Sequence, residues 1–280
     1  MRRLAKDVGD LLKDPLEDQG IWYYHNEKDF REGLAIISGP KDSLYEHGYY
    51  VFKFNFPDTY PAQPPKVTFQ TLAKTHGVAV NGRDQTYVRF HPNLYINGKV
   101  CLSLLGTWDG QPWTSCCTLR TLLIVMQTLL DDDPYMHEPH VLKTDKSRNA
   151  YNQAIAFHNL LDGVLNFKLN ILPTLPDELR RRLTNPLANS LRQAFKIATL
   201  RSHTNPPLTI PVWVDKYGFG THCDYPMLAH ELQKELPVEL NHSTVQEDQV
   251  TVSKGSRLDH EFYHSEQSDK LTERYCGTYF

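Results

Sequence analysis

The order of hydrophobic periods along the chain leads to an α+β fold, and three observations carry that expectation. A short amphipathic helix comes first, strand-like runs follow at close spacing, and strongly apolar helices come after a long irregular stretch. Leu4, Val8, Leu11 and Leu12 recur at helical spacing until Asp14-Pro15, with Arg2, Arg3 and Lys6 on the other face. Leu34 to Ile37, Tyr49 to Phe56 and Lys66 to Thr71 read as strands, the first two closed by Gly39-Pro40 and Pro57. Such spacing with tight connections predicts an antiparallel meander. From Thr86 to Trp113 the chain is rich in Pro, Asn, Gly and aromatics without a sustained period, as an ordered loop would be. Leu119, Leu122, Leu123, Met126, Leu129 and Leu130 then mark a buried helix closed by Asp131-Asp132-Asp133-Pro134. A further helix is expected from about Arg148 to Leu165.

Beyond Pro173 two more apolar stripes appear, Leu187, Leu191, Ala194, Phe195 and Ala198, then Leu228, Leu232 and Leu236 behind Pro226. These divide the chain into a core over 1–165, a mostly helical extension over 166–238 and a polar tail over 239–280. Phe262, Tyr263, Tyr275, Tyr279 and Phe280 are the residues with which that tail could dock. No internal repeat is present.

The 280 residues are 40% hydrophobic and 22% charged, with a formal net charge of -3, which permits a full core and gives no basic stripe for nucleic acid. No apolar run approaches the roughly 20 residues a membrane span needs, and the start lacks the apolar segment of a secretory signal. Five cysteines, Cys101, Cys116, Cys117, Cys223 and Cys276, are odd in number and sparse, which fits reduced thiols inside the cell. None has zinc-ligand spacing, so no metal is expected. Partners are therefore expected to be proteins or small molecules.

Cys101 stands in the segment His91-Pro92-Asn93-Leu94-Tyr95-Ile96-Asn97-Gly98-Lys99-Val100-Cys101. A cysteine that accepts an acyl group needs access, a partly stabilised thiolate and a donor for the oxyanion, and Asn93 is a candidate for that donor. Pro92 stiffens the turn and Gly98 allows backbone that other residues resist. Read locally, a plain buried loop cysteine fits these residues as well.

The segment resembles the signature of ubiquitin-conjugating enzymes, in which the Asn is followed eight residues later by the cysteine. Gly39-Pro40 with Tyr45-Glu46-His47-Gly48, the run Tyr60-Pro61-Ala62-Gln63-Pro64-Pro65-Lys66-Val67, Trp113 before a buried helix and Asp133-Pro134 after it match the same family in order. The resemblance covers about residues 2 to 165. Within the family the chain is most similar to the Z-type branch, through Gly106-Thr107-Trp108, the extra stretch before Trp113, Pro134-Tyr135 with Glu138-Pro139, and the late Phe219-Gly220 and Asp224-Tyr225.

The resemblance implies the ubiquitin-conjugating fold and an acyl transferase with a thioester intermediate. Cys101 is then the nucleophile that receives ubiquitin or a ubiquitin-like protein from an activating enzyme and hands it to a lysine or a ligase. Asn93 steadies the loop or the oxyanion. His91 and Pro92 are structural, and Asp133 orients the incoming lysine or is only a helix-end residue. Arg2, Arg3 and Lys6 are the docking face for the activating enzyme, or an ordinary solvated face. No cofactor is implied, because ATP is spent earlier by the activating enzyme. The setting implied is the cytoplasm, with the nucleus as a second compartment.

Several residues depart from the family pattern. Ala62 stands where many members place a bulky apolar side chain, and Thr114-Ser115-Cys116 replaces the common Ser-Pro-Ala, so the ligase-facing loops at Ala62 and Ser115 are unusual. Leu72 to Thr86 is longer than the usual connection. Trp108 to Gln111 is expected to overhang the cysteine or simply to cap the core. Cys116 and Cys117 read as small apolar fillers, with a reactive thiol as the alternative. Two other functions compete: a catalytically silent scaffold that binds ubiquitin or a partner, and a cysteine hydrolase, which needs a His bonded to the thiol. The sequence leaves open the modifier, the linkage, the ligase, the substrates, the oligomeric state and the role of the extension.

Overall fold

A computed structural model describes residues 1–74, 87–214 and 217–236. Helix α1 spans Arg2–Lys13 and buries Leu4, Val8 and Leu11. Strands β1 (Ile21–His25), β2 (Glu32–Ser38), β3 (Tyr49–Asn55) and β4 (Lys66–Phe69) follow, paired in sequence order as an antiparallel meander. Strand β1 was not among the expected strands. Its run Ile-Trp-Tyr-Tyr-His is short, and what makes it a strand is its full register against β2. Short β5 (Ala73–Lys74) and β6 (Tyr87–Val88) pair where irregular loop is expected. Helix α2 (Leu119–Gln127) starts at Thr118, whose hydroxyl caps the Thr121 amide at 3.0 Å. Helix α3 (Lys146–His158) runs directly into π-helical turns over Asn159–Ile171.

The sheet register explains why the extension cannot hang free. Trp22 pairs with Ile36 and Ile36 with Val51, which places these three on one face. Ile37, Tyr50, Phe52 and Phe54 lie on the other, and both sets are buried. The first set is covered from the C-terminal side. Tyr49 stacks on Phe167 at 5.0 Å, and its hydroxyl meets Ser190 at 2.9 Å. Ser190 belongs to α4 (Asp177–Thr204), whose Arg182 donates to Glu17 at 2.7 Å and to the Tyr23 carbonyl at 3.0 Å. A second seam forms at Asn159. It accepts from the Tyr50 hydroxyl at 2.7 Å and donates to the Glu46 carbonyl at 2.7 Å. Gly48 permits this approach, because a Cβ there would lie 1.9 Å from the Asn159 amide oxygen.

Residues Met1–Val238 consequently form one compact unit. The division expected after residue 165 falls within the continuous helical run from α3 to Ile171. The extension is also not wholly helical. Between α4 and α5 (Tyr225–Lys234) it carries a hairpin of β7 (Leu208–Val214) and β8 (Tyr217–Cys223). Pro211 within β7 weakens the strand signal, yet a two-stranded hairpin has only edges and tolerates it. Buried His158 ties the hairpin to the core, bonding Asp162 at 2.7 Å and Thr221 at 2.6 Å. No helix among the described residues is long and apolar enough to cross a membrane. The tail over 239–280 and most of the Leu72–Thr86 connection lie outside the described residues.

If Phe167 is core rather than a dispensable contact, Phe167→Ala should lower the unfolding free energy by about 3–5 kcal/mol, as deletion of a buried aromatic does. Guanidinium denaturation reads this directly, and a loss below about 1 kcal/mol would show that the extension does not share the core's cooperativity.

Candidate active site

The loop holding Cys101 is fixed to the sheet before it reaches the cysteine. The Phe69 amide of β4 donates to the Gly98 carbonyl at 2.8 Å. Gly98 has φ +86, and a Cβ there would come within 2.6 Å of Thr68, so backbone conformation and proximity both require glycine. Two tyrosines hold the other end, Tyr45 donating to the Phe90 carbonyl at 2.5 Å and Tyr151 to the Arg89 carbonyl at 2.8 Å. The Arg89 guanidinium lies 3.8 Å over the Tyr95 ring and donates to the Pro92 carbonyl.

Within this frame, Asn93 and Cys101 are paired through their main chains. The Cys101 amide donates to the Asn93 carbonyl at 2.8 Å, and the Asn93 side-chain amide returns a bond to the Cys101 carbonyl at 2.9 Å. The Asn93 nitrogen is thus committed to the loop in this arrangement, the steadying geometry rather than the oxyanion one. Cys101 itself is only 1% exposed. An accessible thiol was expected, and the correction follows from the bonds just named, which draw the cysteine backbone against the buried Asn93.

His91 is fully buried, and its Nδ1 accepts from the Asn93 amide at 3.0 Å. Its Nε2 makes no hydrogen bond among the described residues, so no His91–thiol bond forms and the hydrolase requirement is not met. Burial pushes the imidazole well below its ordinary pKa, helped by His137 and Arg89 nearby. His91 is therefore neutral and holds the turn, as a structural residue does.

The Asp133 carboxylate is already engaged on both oxygens. Arg148 donates to its two oxygens at 3.1 and 2.9 Å, Asn152 adds a bond at 3.0 Å, and the side chain is 20% exposed. Asp133, expected either to orient a lysine or to be only a helix-end residue, ties the Pro134–His137 turn to α3 through these bonds.

The docking candidates divide in the same way. Arg2 and Lys6 are exposed, with Lys6 paired to Asp10 at 2.6 Å. Arg3 turns inward. It donates to Asp7 at 2.8 Å and to the carbonyls of Ser115 and Cys117 at 3.0 Å each, so it joins α1 to the Ser115 loop instead of facing solvent. Buried Asp7 also accepts from the Tyr60 hydroxyl at 2.6 Å, and burial with this neighbour raises the Tyr60 pKa, which keeps the hydroxyl a donor. Trp113 completes the frame by donating to the Pro61 carbonyl at 2.7 Å. Ala62 and Ser115, both exposed, are thereby carried on two loops fastened together. Cys116 is exposed, which corrects its reading as an apolar filler, while Cys117 is half-buried and accepts from the Thr114 amide. Trp108 to Gln111 is exposed as well.

Asp7 and Thr107 are the site residues that sequence reading did not single out by role. The Thr107 hydroxyl donates to the Val100 carbonyl at 2.7 Å and accepts from the Leu102 amide at 2.9 Å, one bond on each side of Cys101. Only its place five residues after Leu102 in a Gly-containing turn hints at this, because the contact needs the loop to close first.

A family model described as "Ubiquitin-conjugating enzyme" matches residues 3–158, more than half of the chain. "Ubiquitin-conjugating enzyme E2 Z" of Xenopus tropicalis is 36% identical over 233 residues, covering 82% of this chain and 69% of that protein. The Homo sapiens protein of the same name is 36% identical over 137 residues, covering 49% of this chain and 35% of its own length. The chain thus spans about a third of that human relative. "Dual E2 ubiquitin-conjugating enzyme/E3 ubiquitin-protein ligase BIRC6" of Homo sapiens is 40% identical over 145 residues, 49% of this chain and 3% of that protein.

The buried imidazole gives a pH dependence with a definite sign. His91 has a folded pKa below the unfolded value near 6.5, so under that pH the unfolded chain binds the extra proton and stability falls. The loss from this group should approach about 1.4 kcal/mol per pH unit. His25 and His47 shift in the same direction, so the comparison must be with His91→Gln. Denaturation at pH 7, 6 and 5 should show a shallower slope in the variant, and equal slopes would remove the assignment.

Proposed function

The chain belongs to the ubiquitin-conjugating enzyme family, in its Z-type branch, and from that membership we propose that it carries ubiquitin or a ubiquitin-like protein as a thioester on Cys101. The single observation that supports this most is the reciprocal Asn93–Cys101 pairing within a loop anchored at both ends, which holds one thiol in a fixed place. In the first step the Cys101 thiolate attacks the carbonyl carbon of the modifier held on the activating enzyme, and that enzyme's thiolate leaves. In the second, a lysine amine or a ligase cysteine attacks the same carbon and the Cys101 thiolate leaves. The amine's proton passes to solvent or a nearby base. No net redox change occurs, and the thioester supplies the free energy. Since Cys101 is 1% exposed, this reading requires the thiol to be uncovered when the modifier arrives.

Arg2 and the Asp10-paired Lys6 are the exposed candidates on α1 to meet the activating enzyme, with Arg3 acting from behind them on the Ser115 loop. Ala62 and Ser115 face a ligase from the paired loops. A reducing compartment, cytoplasm or nucleus, suits the thiol chemistry, and Cys101, Cys116, Cys117 and Cys223 are free. A second reading, a silent scaffold of the same fold, is favoured by one observation, the buried thiol.

The test is to combine the protein with an activating enzyme, ubiquitin and ATP, and to compare non-reducing with reduced gels. An adduct that thiol removes, lost in Cys101→Ala and kept in the Cys116/Cys117 double alanine variant, is the expected result. No adduct with ubiquitin or a ubiquitin-like protein would favour the scaffold. An adduct lost only in the double variant would move the nucleophile to the exposed loop.

A further inference from the structure

Five backbone polar groups flank the Cys101 thiol, from the Val100 carbonyl to the Leu102 carbonyl, and Asn93 and Thr107 bond every one, the Leu102 carbonyl being shared with the Leu105 amide. Asn93 takes the amide and the carbonyl of Cys101. Thr107 takes the flanking groups. Its hydroxyl donates to the Val100 carbonyl at 2.7 Å, accepts from the Leu102 amide at 2.9 Å and lies 3.2 Å from the Leu102 carbonyl, which also receives the Thr107 amide at 3.3 Å. A hydroxyl is the only common side-chain group that can donate to one neighbour and accept from the other through a single atom. Val100 and Leu102 are both buried, so without that atom a carbonyl and an amide would be left unpaired on either side of the nucleophile.

We infer that Thr107 is a positioning residue for acyl transfer, its hydroxyl fixing the backbone on both sides of Cys101 so that the thiol presents the modifier to an attacking amine in one geometry. The inference rests on the thioester reading above and adds a residue to it. Thr107 is half-buried, not sealed in the core. It lines a groove of about 470 Å³ together with Pro64, Val67, Lys99, Val100 and Leu105. The clamp is therefore reachable from the surface, and whatever enters that groove meets the residue that sets the cysteine's position. The turn it closes is compact: the Leu105 amide returns to Leu102 at 2.9 Å and the Gly106 amide to Ser103 at 2.9 Å, with Gly106 at φ +67.

The full chain carrying Thr107→Val, which keeps the shape and loses the hydroxyl, is compared with Thr107→Ser, which keeps the hydroxyl. Two quantities are read: hydrogen exchange of the Leu102 amide, and discharge of preformed Cys101–ubiquitin thioester onto free lysine. Thr107→Val should exchange Leu102 about tenfold faster, as expected for loss of one hydrogen bond. Its saturating discharge rate should fall about tenfold or more, the usual consequence of a slightly misplaced reacting group, with KM for lysine unchanged. Thr107→Ser should restore both. Wild-type exchange and discharge in Thr107→Val, or a failure of Thr107→Ser to rescue, overturns the inference. Should Thr107→Val not fold, Thr107→Ala against Thr107→Ser makes the same comparison with the same two outcomes. A wild-type chain that takes up no modifier overturns the thioester reading itself, whereas a wild type that charges normally beside an unaffected Thr107→Val overturns only the clamp.

Discussion

Burial of the β2–β3 ladder on both faces is the constraint from which the rest of the architecture follows. A solvated antiparallel sheet shows polar residues at every second position, yet here Trp22, Ile36 and Val51 on one face are as buried as Ile37, Tyr50 and Phe52 on the other. Apolar side chains on both sides need two layers. One comes from α1, α2 and the active-site loop, the other from the turns after α3 and from α4. Phe167 on Tyr49 is where the second layer is fastened, and Asn159 ties the same helical run to Tyr50 of the opposite face and to Glu46. The extension is thus part of the core, which is why its start cannot be separated from the helix preceding it.

The same need for complete pairing shapes the site. Backbone groups taken out of water must find partners. In an irregular loop no ladder supplies them, so side chains do: His91 for the Asn93 amide, Asn93 for Cys101, Thr107 for Val100 and Leu102, Tyr45 and Tyr151 at the loop's base. These bonds make the loop rigid and also withdraw the thiol from solvent. A rigid nucleophile and a buried one are two results of one network, so chemistry at Cys101 requires part of it to yield when a partner binds.

Asp7 does for the loops of Ser115 and Ala62 what Asn93 does for the cysteine. From within α1 it engages Arg3 and Tyr60, and through them the loops of Ser115 and Ala62. A single buried carboxylate with charged and hydroxyl partners is a costly thing to leave unmatched, so helix and loops are held in one arrangement. Arg3 thereby stabilises the surface from inside, while Arg2 and Lys6 remain at the solvent.

The sequence by itself determined the elements whose signal is local. The stripe Leu4, Val8 and Leu11, the alternation through Tyr49 to Phe56, the buried face of Leu119 to Met126, and the spacing from Asn93 to Cys101 all lie within a few residues or a known motif, and each was legible. Tertiary structure alone decided the properties that depend on distant partners. Strand β1 exists because β2 is beside it, and Pro211 sits in a strand because β8 pairs with it. Arg3 looked like a docking cation until Ser115 and Cys117, over a hundred residues away, claimed its guanidinium. Asp133 looked available until Arg148 and Asn152 took its oxygens. Periodicity reports which side of an element is apolar. It carries no information on which remote atom will satisfy a given donor, and that pairing is what separates a solvent-facing charge from a buried tie.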